Sequence, residues 1–186
     1  MVDWVVMAVW SHALILGLVL TASSAPSIEN LSVTVNGGQV LVGFQLANGL
    51  DAETRERIAS GLPTSFIYEL ELKRDRKHWW DRGLEATVLE VVAMYNAVTR
   101  EYLVNTKHGG RLIESRTVRD EVELERAMTV FEGFPAFTLE SDQNHSRVLV
   151  RMRVDLGPGA LLGFIPYQQS TPWRESNKVR LRAPEP

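Results

Sequence analysis

Cysteine is absent from this 186-residue chain. That absence excludes disulfides, thiolate metal sites, a cysteine nucleophile and a lipidated N-terminal cysteine. A domain of about 160 residues can fold on its apolar core alone, so disulfides are not required even in an oxidising compartment. Basic charge is also short: 20 Lys and Arg against 23 Asp and Glu leave a net charge of −3. Non-specific nucleic-acid binding needs a strongly basic surface to displace counterions, so no nucleic-acid partner is expected. No Gly-x-Ser-x-Gly elbow occurs, which leaves a serine hydrolase without support. No glycine-rich loop opens a helix after a strand, so no phosphate cradle is expected. Internal repeats and low-complexity linkers are missing too. What is there is ordinary for a globular protein: 45% hydrophobic and 23% charged residues, too apolar and too evenly charged for disorder.

The N-terminal segment is the strongest feature. From Trp4 to Leu20 only Ser11, His12 and Gly17 interrupt an apolar run, and the small residues Thr21-Ala22-Ser23-Ser24-Ala25 follow. That order is the pattern of an export signal. Against cleavage stand Asp3, the only charge before the run, Pro26 after Ala25, and the lack of any Lys or Arg before Arg55. The alternative is an uncleaved anchor. The run from Trp4 to Leu20 would span about 25 Å as a helix, against a hydrocarbon core of ~30 Å, and extension to Ala22 closes most of the gap. Residues 1–25 are therefore expected to be a signal peptide or a membrane anchor, with membrane association through residues 4–22. The protein is expected in the periplasm or anchored to the inner membrane.

Residues 26–186 are expected to form a single β-rich domain. Leu31, Val33 and Val35, then Val40, Val42, Phe44 and Leu46, alternate with polar residues around Asn36-Gly37, a hairpin signal. Asp51 should cap a short helix from Ala52 to Ser60, stopped by Gly61 and Pro63. Phe66, Tyr68, Leu70 and Leu72 mark a half-buried strand, and the segment from Leu84 to Tyr95 a central one, apolar on both faces. Strands from Thr99 to Asn105 and from Arg111 to Thr117 should flank a turn at His108-Gly109-Gly110. The spacing of Leu124, Ala127, Met128 and Phe131 predicts a helix from Val118 to Glu132, ended by Gly133 and Pro135. Further strands are expected around Val148 to Val154, Leu162 to Gln168 and Lys178 to Arg182. The whole reads as a mainly β fold, an antiparallel β-sandwich with two short helices, plus the N-terminal apolar helix.

Chemistry is sparse. His78, His108 and His145 fall in expected loops, and none has a second ligand at metal spacing. His78 with Asp81 reads as a solvated turn. Asp142, Asn144 and Ser146 lack the glycine and the distal glutamate of a calcium loop. No metal and no cofactor are expected. Glu69 and Glu71 project from one strand face, where two carboxylates could serve glycosidic acid–base work, although solvated strand faces are commonly charged. Arg151, Arg153 and Asp155 share a strand face and suggest cross-strand ion pairs. Trp173 is expected to close the sandwich. The stretch from Lys73 to Arg82 combines Arg74, Arg76, Lys77 and Arg82 with Trp79 and Trp80. It is expected at a strand tip, where tryptophan and arginine suit contact with a lipid headgroup, a glycan or an acidic protein.

The order of these elements resembles the bacterial DUF4390 family. The resemblance rests on four stretches: Phe44 to Leu50, Ser60-Gly61-Leu62-Pro63, Phe66 to Leu72, and Tyr95 to Tyr102. Arg151 to Asp155 and the late Trp173 complete it. It implies an exported protein of unknown function, carries over no catalytic residue, and implies a link to envelope signalling beside a membrane sensor kinase. The expected function is a non-catalytic envelope module for a protein, lipid or glycan partner. The alternatives are an accessory subunit of a sensor kinase system and an envelope hydrolase with an unrecognised site.

Overall fold

In the computed structural model, residues 24–75, 82–139, 147–161 and 165–181 are described. The leader, and with it the expected N-terminal helix, lies outside them. Among the described residues no helix is long and apolar enough to cross a membrane.

Alternation builds the first sheet. In β2 (Gln39–Ala47), Val40, Val42, Phe44 and Leu46 all point inward and are buried. β1 (Ser27–Asn36) pairs with it antiparallel, Asn36 opposite Gln39. The turn pair is therefore Gly37–Gly38, one residue beyond the expected Asn36-Gly37. Both glycines have positive φ, +55° and +81°, which a hairpin of this kind demands at both positions. Helix α1 (Ala52–Ala59) follows as expected. Asp51 accepts from the Thr54 amide at 2.8 Å. At the other end Gly61 donates to the Ile58 carbonyl at 2.9 Å and Leu62 to the Arg57 carbonyl at 3.2 Å, the paired bonds of a Schellman stop.

The second sheet runs β10 (Arg174–Glu175), β8 (Arg147–Leu161), β3 (Thr64–Asp75), β4 (Arg82–Asn96), β5 (Glu101–His108), β6 (Arg111–Val118), with β9 (Ile165–Ser170) and β11 (Val179–Arg180) also on β8. β4 is central, as expected, with Leu89, Val91 and Ala93 on its buried face and Val88 exposed on the other. His108 ends β5 rather than lying in a loop, and the turn is Gly109–Gly110 alone.

The second helix differs from expectation. Helix α2 is confined to Glu121–Thr129. Val118 completes β6, and Asp120 caps α2 by accepting from the Glu123 amide at 2.8 Å. From Val130 the chain is a strand, β7 (Val130–Thr138), which pairs with β2 to complete the small sheet β1-β2-β7. Phe131 is thus a strand residue opposite Phe44, and Gly133 and Pro135 sit inside β7 instead of ending a helix. β-branched and aromatic side chains at Val130, Phe131, Phe134 and Phe137 favour the pleated surface, and tertiary packing prevails over the helical spacing.

The two sheets enclose one core, from Ile28 to Leu181. Phe44 of the small sheet lies 5.0 Å from the Tyr68 ring of the large one, and Phe131 stacks on Phe44 at 4.9 Å. The fully buried Tyr68 hydroxyl donates to the Met128 carbonyl at 2.5 Å. Burial pushes this phenol far above its usual range and keeps it neutral.

Residues 171–181 close the β8 end. Thr171 donates its amide to the Val154 carbonyl at 2.9 Å and accepts the Val154 amide on its hydroxyl at 3.0 Å. Ser176 repeats this pair on Val150, at 2.9 and 3.0 Å. Asn177 then reaches β1: its Oδ1 accepts the Val33 amide at 2.8 Å and its Nδ2 donates to the Val33 carbonyl at 3.1 Å. One side-chain amide takes the place of a neighbouring strand.

Candidate functional site

The outer face of the large sheet holds the candidate acid pair. Register sets Glu69 opposite Arg153 and Glu71 opposite Arg151. Arg153 donates to both oxygens of Glu69 at 2.9 Å, and Arg151 Nε donates to Glu71 at 2.6 Å. The Trp173 ring lies over both guanidiniums, 4.4 Å from Arg151 and 4.9 Å from Arg153. Trp173 therefore sits on the outside of the large sheet and does not close the sandwich. Rings attract guanidinium by their quadrupole, and β10 places this ring beside the ion pairs. The hydrogen bond from Arg151, followed by the charges of Arg151, Lys73 and Arg153, holds Glu71 below the usual carboxylate range. A general acid at neutral pH needs the opposite shift. As placed, Glu71 is a poor proton donor and serves as an ion-pair anchor.

His108 lies against the small sheet, its ring edge-on to Phe134 at 4.9 Å. No group of three or more His, Asp or Glu suited to a metal ion occurs among the described residues. His78, His145, Asp81, Asp142, Asn144 and Ser146 lie outside them. So do Arg76, Lys77, Trp79 and Trp80 of the basic, aromatic stretch. Of its remaining members, Arg74 and Arg82 lie opposite each other in β3 and β4. Arg74 is half-buried, and its Nε has no hydrogen-bond partner among the described residues.

A second feature lies on the outer face of the small sheet. Gly43 occupies the middle of β2, and both flanking strands change register beside it. The irregularity in β1 falls between Glu29 and Ser32, and that in β7 near Gly133. An added β-carbon at Gly43 would stand 3.0 Å from Ser32 Oγ and 3.6 Å from the Phe131 carbonyl oxygen. Missing side chain and flanking bulges together leave a groove of about 380 Å³. Bulges re-aim side chains, and a strand glycine permits close backbone approach. Asn30, Ser32, Thr34 and Gln45 supply neutral hydrogen-bonding groups, and Glu132 the one carboxylate. No Lys or Arg lines it among the described residues. The alternation Val42-Gly43-Phe44 is the sequence signal that points here.

The model of a domain of unknown function, DUF4390, matches residues 23–161. The chain belongs to the DUF4390 family. The matched region takes in the small sheet with its Gly43 groove, the Glu69 and Glu71 ion pairs and all of β8, and stops before the segment 171–181 that closes the β8 end. No curated protein and no solved structure matches the chain.

Proposed function

We propose that this DUF4390 domain is a non-catalytic binding module of the bacterial cell envelope, delivered by the apolar leader as a periplasmic or membrane-tethered protein. Its ligand surface is the groove over Gly43, and its ligand an uncharged, hydroxyl-rich chain such as an envelope glycan. The observation that carries this reading is the lining of the groove. Neutral amides and hydroxyls can exchange hydrogen bonds with sugar hydroxyls, and a carboxylate can accept two of them. With no Lys or Arg among its described lining residues, the groove offers no side-chain cation to an anionic lipid headgroup or phosphate. The bare backbone at Gly43 lets a flat ring approach the sheet closely. The carboxylates elsewhere support the non-catalytic part of the reading, because Glu69 and Glu71 are already engaged by arginine.

The test is co-sedimentation of the full chain with purified cell-wall glycan, comparing it with a variant carrying Thr34→Arg and Gln45→Arg. Both positions are exposed, so the fold should survive, as a thermal melt will show. The proposal expects the native chain to sediment with the glycan and the variant to lose at least tenfold in affinity. A native chain that stays in solution, or a variant that binds as well, would overturn it.

A further inference from the structure

Among the described residues four strand edges bound the two sheets, and three of them are closed or blunted. The β8 edge is covered by β9, β10 and β11. The β1 edge is met by Asn177. β7 carries Pro135, which has no N–H to offer a neighbour, beside an irregular register. β6 is the exception. Among the described residues it pairs with β5 alone, and every residue from Arg111 to Thr117 is exposed. Leu112 and Ile113 are 61% and 53% exposed. An open edge with exposed apolar side chains presents unpaired N–H and C=O groups to any extended chain.

We propose that β6 pairs with β6 of a second copy of this chain, antiparallel, about a two-fold axis at Ser115. The order of side chains selects this occupant. Centred on Ser115, the pairing sets Glu114 opposite the partner's Arg116 and Arg116 opposite the partner's Glu114. It also sets Ile113, the bulged residue of β6, beside Thr117. Opposite charges and β-branched pairs facing each other are the stabilising units of an antiparallel ladder. Neighbouring registers lack this match: centring on Glu114 brings two carboxylates together, and centring on Arg116 two guanidiniums. Within one chain Glu114 and Arg116 already lie 3.8 Å apart, so pairing alternates four charges across the seam. The register irregularity opposite Thr106 and Lys107 makes Ile113 a bulged residue, so the regular match ends there and Leu112 turns to the face opposite that of Val118. The seam is thus short, centred on Ser115 and regular from Glu114 to Arg116. A two-fold interface of this kind is self-complementary and closes at two copies.

The absence of cysteine makes the test direct. Opposed residues of an antiparallel pair have Cα atoms about 4.5–5.5 Å apart, inside the ~4.4–6.8 Å range of a disulfide. The full chain carrying Ser115→Cys is expected to form a disulfide dimer on mild oxidation, while Val98→Cys, at a position 92% exposed in a turn, stays monomeric. Adding Glu114→Arg to the Ser115→Cys chain should cut the dimer yield at least tenfold, and adding Arg116→Glu as well should restore it. Should Arg116→Glu unfold the chain, mixing Ile113→Cys chains with Thr117→Cys chains decides: the mixed disulfide must exceed either self-disulfide. Ser115→Cys cross-linking no better than Val98→Cys, cross-linking to a different protein instead, or a folded charge-swapped chain that stays monomeric would overturn the proposal. Glycan binding through the Gly43 groove lies on the other sheet, so either result leaves the other standing.

Discussion

The two ends of the large sheet are finished in opposite ways. At the β8 end, Thr171, Ser176 and Asn177 place side-chain oxygens on the amides of Val154, Val150 and Val33, and Asn177 joins the large sheet to the small one. At the β6 end nothing comparable occurs among the described residues, and Leu112 and Ile113 stand in solvent. The contrast teaches that this fold can seal an edge without a full strand. Three short strands, β9, β10 and β11, cover β8, and the Thr171 and Ser176 hydroxyls fill the gaps between them.

Substitutions at the two ends should separate them. Asn177→Ala strands the amide and carbonyl of buried Val33, and is expected to cost about 2–3 kcal/mol in urea unfolding. Trp173→Ala removes the ring shared by Arg151 and Arg153 and should cost about 1–2 kcal/mol by the same measurement. Glu71→Gln acts through pH. The folded protein holds Glu71 below its unfolded value, so its contribution is present above the ordinary carboxylate range and is lost as pH falls through the folded value. The variant should be less stable at neutral pH by under about 1 kcal/mol and should show a shallower acid limb in thermal melts taken from neutral to acid pH. Glu114→Arg, at the open end, should change monomer stability by no more than about 0.5 kcal/mol. If Asn177→Ala proves as mild as Glu114→Arg, the distinction between the ends collapses.

Much of the fold was legible in the chain. Hairpin β1–β2, helix α1 with its Asp51 cap and Gly61 stop, and the alternation of β3 and β8 all follow from local pattern. β7 was not, because Gly133 and Pro135 read as breakers. They are tolerated there because, among the described residues, β7 pairs with β2 alone and its other edge needs no donor. Phe131 continued the helical spacing of Leu124 and Met128 by coincidence, and its true neighbour, Phe44, is remote in sequence. The ion pairs of Arg151 and Arg153 were expected, whereas the outward place of Trp173 depends on a two-residue strand with no periodicity to announce it. The groove over Gly43 needs three strands and two irregular registers to exist. Only its glycine shows in the sequence. Likewise the matched order of β6 is visible in the chain, but that β6 lies at an edge is a property of the assembled sheet.

Amide hydrogen exchange tests the contrast most directly. At low protein concentration the amides of Val33, Val150 and Val154 should exchange slowly, as each donates to a side-chain oxygen at 2.8–3.0 Å. Alternate amides between Arg111 and Val118 should exchange at rates near those of a free chain, and should slow as concentration rises and the edges pair. Rapid exchange at Val33, or equal and concentration-independent protection at both ends, would contradict the account.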